Sequence, residues 1–163
     1  MSNFFAPDFD PATEREGFRS RRAKLGEQAG AEHLGLSVYE IEPGSAPFPL
    51  HYHLDNEELL IVVAGEPSLR TPDGERPLTE GEVISFPVGE AGAHQVVNRT
   101  DGPVRVLILS EKNAPEIVVR PESGKISAFG RPPGSSGDGM HDVYFRRDAV
   151  DFWEGEEPPP PPS

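Results

Sequence analysis

Between positions 34 and 120 the chain is cut into short apolar runs separated by Gly, Pro and Asp, and this punctuation limits its fold more than any other feature. The runs are Leu34 to Glu42, Leu59 to Ala64, Ser68 to Thr71, Val83 to Phe86, His94 to Asn98, Val104 to Leu109 and Glu116 to Arg120. Short strands recurring at this spacing predict an all-β sandwich or barrel of antiparallel strands, with little helix. Thr71-Pro72-Asp73-Gly74 and Thr100-Asp101-Gly102-Pro103 carry hairpin chemistry, with Asp-Gly supplying the positive φ that such turns use. A barrel over residues 31–120 is the expectation.

The flanks read differently. Residues 1–30 are expected to form an extended arm, in which Met1 to Glu16 is rich in Pro, Asp and Phe. Phe18 to Leu25 carries Arg19, Arg21, Arg22 and Lys24, charges that are either solvated or paired with carboxylates of a neighbouring subunit. Beyond Pro121 the strand pattern breaks down. Residues 121–153 are expected to dock on the barrel or on a partner through Val143-Tyr144-Phe145 and Phe152-Trp153. Within them, Ser127 to Met140 is rich in Gly, Pro and Ser and reads as a long loop that could lid a barrel mouth. Residues 154–163 end in five prolines and a serine and read as an acidic, solvated, polyproline-like tail.

Composition narrows the function. A chain of 163 residues suits one domain with a real core, although 35% hydrophobic content is low and implies ends that pack poorly. Its 15 Lys and Arg against 28 Asp and Glu give a net charge of −13, which repels nucleic acid and anionic membranes. There are no cysteines, which excludes disulfides and thiolate ligands and points to a reducing compartment. Met1 to Asp10 has neither a basic nor an apolar leader-like region, and no run approaches transmembrane length. The expectation is a cytoplasmic protein without nucleic-acid or membrane partners.

The chemistry concentrates in two clusters. The first runs from Gly44 through His51-Tyr52-His53 to Glu57-Glu58 and on to Gly65; the second runs from Gly81 through Pro87 and Gly89 to His94 and Asn98. Residues two apart on a strand share a face, so His51 and His53 can aim into a barrel while Tyr52 points away. Glu58 shares a face with Leu60 and Val62, and Glu57 with Leu59, Ile61 and Val63; parity alone does not say which set lies inside. His94, on a later strand with Val96 and Asn98, would supply a third imidazole. Three imidazoles and one carboxylate suit Fe, Mn, Ni, Co, Cu or Zn, and on an octahedral ion leave two positions for water or substrate. His33 and His141 have no ligand at metal spacing and read as ordinary surface or packing residues.

The two clusters resemble the motifs of the cupins. Gly44, His51, His53, Glu58 and Gly65 match the first cupin motif, with a spacer of six residues before His51 where five is usual. The six residues between Glu58 and Gly65 favour Glu58 as the ligand and leave Glu57 in reserve. Gly81, Pro87, Gly89, His94 and Asn98 match the second, with four residues instead of two between Gly89 and His94. The resemblance covers roughly Leu34 to Ser110. It implies a double-stranded β-helix, a jelly-roll-like barrel, with one divalent transition metal (Fe, Mn, Zn or Ni) held by His51, His53, Glu58 and His94. It further implies a homodimer that exchanges an N-terminal strand, and a small-molecule substrate. Two enzyme types are open: a dioxygenase of small organic acids or flavonoid-like molecules, and an isomerase of phosphorylated sugars. The absence of a Walker-type loop, and of Lys or Arg inside either motif, disfavours the sugar phosphates. Glu57 and Tyr39 are the general acid or base candidates, if they face the barrel mouth and interior. The alternative class is a non-catalytic metal- or small-ligand-binding module.

Overall fold

The computed structural model describes residues 2–132 and 138–160. Its strands are β1 (Thr13–Arg15), β2 (Phe18–Ala23), β3 (Leu34–Ile41), β4 (Tyr52–His53), β5 (Glu58–Ala64), β6 (Ser68–Thr71) and β7 (Gly74–Pro77). They continue with β8 (Val83–Phe86), β9 (Gln95–Val97), β10 (Val104–Glu111), β11 (Glu116–Arg120), β12 (Lys125–Phe129) and β13 (His141–Phe145). A single α-helix, α1 (Leu25–Ala29), breaks the series among the described residues. The all-β expectation therefore holds, and the seven runs read from the sequence coincide with β3, β5, β6, β8, β9, β10 and β11 to within two residues at each end.

One layer is a six-stranded sheet in the order β1-β2-β3-β10-β5-β8. A four-stranded sheet, β13-β12-β11-β4, and a three-stranded sheet, β7-β6-β9, make the other side. These two are joined by an antiparallel bridge between His51 and His94. Alternation along the strands then decides which side chains meet. Tyr39 and Ile41 of β3, Leu60 and Val62 of β5, and Val104 and Val106 of β10 pack with Leu69 of β6 and Val96 of β9 in one buried cluster between the layers. Each such Leu or Val contributes roughly 1.5–3 kcal/mol relative to exposure. The opposite parity, Val38, Leu107 and the partly buried Ile61 and Val63, lies on the other face with Ala23 and Leu25, the first residue of α1. This settles the parity of β5, because the face of Leu60 and Val62 is the interior, and it is also the face of Glu58. Gly65 closes β5 at φ +80°, where a Cβ would stand 2.9 Å from Val104 Cγ1, so both conformation and space call for glycine.

Four features depart from the simple pattern. Within the segment 1–30, β1 and β2 form a hairpin, and β2 pairs with β3 of its own chain, with Arg22 opposite Tyr39. Ser127 to Phe129, expected in a loop, belong instead to β12, which pairs with β11 on one side and β13 on the other. Residues 133–137 of that expected loop lie outside the described residues. Thr71 and Gly74 do close a hairpin, but Asp101-Gly102 does not: β9 and β10 belong to different sheets, and Gly102 lacks a positive φ. Asn98 holds that crossing instead. Phe152 and Trp153 are exposed and pack edge-to-face on each other, with centroids 4.7 Å apart. Residues 154–160 are exposed and 161–163 lie outside the described residues. No helix among the described residues is long and apolar enough to cross a membrane.

Candidate metal centre

Backbone pairing, rather than any side chain, brings the two histidine segments together. The His51 amide donates to the His94 carbonyl at 3.1 Å, and the His94 amide returns the bond to the His51 carbonyl at 2.9 Å. The extra residues before His94 are taken up by a 3-10 turn at Glu90–Gly92. The Gly92 carbonyl accepts from His94 Nδ1 at 2.8 Å, and a Cβ on Gly92 would stand 1.9 Å from the Pro87 oxygen. Phe86 stacks flat on the His94 ring at 3.7 Å and fixes its plane. His51 Nδ1 likewise contacts the Pro49 carbonyl at 2.9 Å. Nδ1–H donation to a carbonyl sets the tautomer that leaves Nε2 with its lone pair.

Glu58, on the inner face of β5, closes the group. One ligand atom from each of His51, His53 and Glu58 lies within 4.8 Å of the others, a set that could hold a metal ion. His94 joins them through Nε2, 3.3 Å from Glu58 Oε2, and His53 Nε2 is 3.6 Å from the same oxygen. The electrostatics suit a cation. Burial, reinforced by the neighbouring His94, pushes the His51 pKa down to about 3, so its imidazole is neutral at pH 7. Burial also resists ionisation of Glu58, but His94, His53 and His51 more than offset it and hold the carboxyl below its usual range. Burial opposes a charge on His53 as well, yet Glu116 and Glu58 outweigh it and raise its pKa. Imidazole nitrogens directed at one ionised carboxylate oxygen need a positive centre between them, and a metal ion meets the same need as a proton. The donor set of neutral imidazole and ionised carboxylate fits a divalent transition metal.

Glu116 supports the group from behind, whereas Asn98 ties the backbone at the strand crossing. Glu116, 1% exposed, accepts from the Leu54 amide at 3.0 Å and from the Asn56 side chain, and its Oε1 stands 3.7 Å from His53 Nδ1. Sequence reading did not single it out, since it opens the run Glu116 to Arg120 and nothing but its burial distinguishes it from a solvated strand end. Asn98 is fully buried and is no ligand. Its Nδ2 donates to the Ile41 and Gly102 carbonyls at 2.9 and 2.8 Å, while its Oδ1 accepts from the Thr100 amide and hydroxyl at 2.9 and 2.7 Å.

A cavity of about 190 Å³ opens beside the cluster, lined among others by Tyr39, Phe48, His51, His53 and Glu58. A smaller one of about 40 Å³ adds His94, Gln95 and Val96. Tyr39 thus faces the interior, and burial pushes its phenol up to about 12. Glu57 is exposed and lines neither cavity; Glu111 lines the larger one. His33 and His141 stand apart from the group, the latter stacked on Phe129 at 4.3 Å. Two cations that no motif contains, Arg22 of β2 and Arg120 of β11, also line the larger cavity.

Comparison with known proteins places this architecture. The profile of the Cupin domain family matches residues 37–110. No curated protein matches the chain. Among solved structures, a sugar phosphate isomerase of the cupin superfamily from Silicibacter pomeroyi is similar with a TM-score of 0.76 at 20% identity, over 94% of this chain and 98% of that one. A proposed sugar phosphate isomerase from Acidithiobacillus ferrooxidans gives 0.73 at 22% identity, over 90% of this chain and 88% of that one. A polyketide cyclase from Streptomyces resistomycificus gives 0.56 at 22% identity, over 85% of this chain and 87% of that one. At such identities the likeness is one of fold. The matched profile and the shared barrel support a cupin domain over residues 37–110.

Proposed function

We propose that the protein is a metal-dependent enzyme that acts on a small polar molecule in the barrel cavity, with His51, His53, Glu58 and His94 holding one divalent transition metal. The observation that carries this reading is the convergence of the His53 and His94 ring nitrogens on one Glu58 oxygen, at 3.6 and 3.3 Å, beside an open cavity. A metal bound there supplies Lewis acidity toward a carbonyl or hydroxyl. The chain's own residues do the rest. His51 and His94 are held in one tautomer by the Pro49 and Gly92 carbonyls, so their Nε2 atoms present lone pairs without reorganisation. Tyr39, a phenol that stays protonated through the neutral range, donates a hydrogen bond to a substrate oxygen. Phe48, edge-on to both Tyr39 and His51, narrows the cavity and limits water.

Polarisation of a substrate carbonyl, the step an isomerase-type reaction shares with other Lewis-acid chemistry, is what these groups support best. The presence of two sugar phosphate isomerases among the similar folds agrees with it. The test is metal content by inductively coupled plasma mass spectrometry on protein purified without an affinity tag, beside the His53→Ala, His94→Ala double variant. About one Zn, Mn or Ni per chain, lost in a double variant that stays folded, supports the reading. Stoichiometric iron redirects the chemistry to the dioxygenase. Full occupancy in the double variant, or no metal in the wild type after reconstitution, overturns it and leaves a non-catalytic binding module.

A further inference from the structure

In a chain with 28 acidic and 15 basic residues, a partly buried cation that lines a cavity without a carboxylate partner is conspicuous. Arg21, Arg70, Arg76, Arg99 and Arg105 each pair with a carboxylate of another element or loop. Among the described residues Arg22 and Arg120 form no ion pair with a carboxylate, and both line the cavity beside His51, His53 and Glu58.

Their placement follows from strand parity. Arg22 stands opposite Tyr39 in the β2–β3 register, so it shares the interior face on which Tyr39 is buried. Arg120 shares a face of β11 with Glu116 and Val118, both buried, and Val118 pairs with His53 on β4. Each guanidinium is anchored by a neutral hydroxyl on a neighbouring strand. Arg22 donates from Nε and one terminal nitrogen to buried Ser37 Oγ at 3.1 and 3.0 Å, and Arg120 donates to buried Ser127 Oγ at 2.6 Å. A serine orients a guanidinium without neutralising it, and the fork keeps further N–H donors for a second acceptor. Burial lowers the pKa of Arg120, the mark of a partly desolvated cation that lacks a counterion. The fixed carboxylates that line the same cavity are Glu58, turned to the histidines, and Glu111, whose Oε2 accepts from the Glu57 amide at 3.0 Å.

Resting on the reading of this cavity as the substrate site, we propose that the ligand is a small organic anion whose carboxylate or phosphate is bound by Arg22 and Arg120, its remaining oxygens reaching the His51, His53 and Glu58 cluster. A planar fork matches either oxyanion, and two forks on opposite layers of the barrel select a ligand that spans them. The cavity, about 190 Å³, lies below the ~300–1,000 Å³ of drug-sized pockets and confines the ligand to a few carbons. The lack of a basic residue inside either motif, which disfavoured phosphorylated substrates at the level of sequence, is made good by β2 and β11.

The experiment is calorimetric titration of metal-free and zinc-loaded wild-type protein with inorganic phosphate, malonate and the uncharged comparator malonamide. It is repeated on Arg22→Gln, Arg120→Gln and the double variant, with zinc stoichiometry measured on each. Binding of phosphate or malonate but not malonamide is expected, weakened at least about tenfold in each single variant and lost in the double one, with zinc content unchanged. Phosphate binding alone assigns a phosphorylated ligand, and malonate binding alone a carboxylic acid. Should a variant fail to fold, the wild type still decides: the Nε–H resonances of Arg22 and Arg120 shift on titration if they touch the anion. Anion binding that is unchanged in the double variant, absent in the wild type, or without effect on those resonances overturns the proposal. Loss of zinc binding with arginine-dependent anion binding intact would instead remove the metal reading and leave this one standing.

Discussion

Replacing Asn98 by Ala separates a structural knot from a ligand. The side chain is fully buried and makes four hydrogen bonds, to the Ile41 and Gly102 carbonyls and from the Thr100 amide and hydroxyl. Its backbone makes two more, donating to the Ser45 carbonyl at 2.8 Å and accepting from the Gly44 amide at 3.0 Å. The Thr100 hydroxyl also contacts the Gly102 carbonyl at 2.9 Å and loses least. Truncation therefore strips the amide's bonds from two carbonyls and one N–H, at about 1 kcal/mol each, for a loss of about 3 kcal/mol. For a domain of this size, that is a fall in Tm of roughly 6–12 °C. Asn98→Asp should be worse, because an oxygen on a fully buried side chain would replace Nδ2 against two carbonyl oxygens. The assay is thermal unfolding followed by far-ultraviolet circular dichroism on metal-free protein, with zinc stoichiometry measured on the folded material. Zinc content should not change, since none of these bonds involves a histidine ring. A drop under about 2 °C, or an Asp variant as stable as the wild type, would refute the reasoning.

Two further expectations test other parts of the molecule. Burial disfavours a charge on Glu40, but Arg105, with its guanidinium at 2.6 Å, and Arg21 more than compensate and hold the carboxyl below its usual range. A depressed carboxyl contributes stability above its unfolded pKa and loses it as pH falls through the folded value. Glu40→Gln should therefore cost about 1 kcal/mol at pH 7, with the gap to wild type closing as pH drops below 4.5 in urea titrations; a gap that persists at pH 2 would contradict this. Glu116→Gln keeps the shape and the neighbours of the side chain but weakens the group that orients His53. Zinc affinity measured against a competing chelator should fall roughly 10–100-fold with the barrel still folded, and an unchanged affinity would show that Glu116 serves packing alone.

What the sequence disclosed follows the reach of local rules. Gly, Pro and Asp mark strand ends wherever they fall, so the boundaries of β6, β8 and β11 were readable. The histidine pair was readable because strand alternation is a two-residue rule. The polar β2 was not, since four basic residues in eight mask the alternation that buries Ser20 and Ala23. β12 was lost for a related reason: Lys125-Ile126-Ser127 adjoins a Gly- and Pro-rich stretch, and its inward residue is a buried serine instead of a hydrophobe. The deepest losses were tertiary. Arg22 and Arg120 reach the cavity, and Glu116 reaches the far side of His53, from strands outside either motif, and only the pairing register brings them to the site.

The reciprocal hydrogen bonds between His51 and His94 are made by peptide groups, so they persist with any residue but proline at those positions. Where a ligand sits is written in the main chain, while what sits there is written in side chains that can be exchanged one at a time. A lineage built on such a clasp can trade one metal for another, or give up the metal, without passing through an unfolded ancestor. Substitution at positions 51 and 94 can therefore change the chemistry of the site while the seam beneath them stays in place.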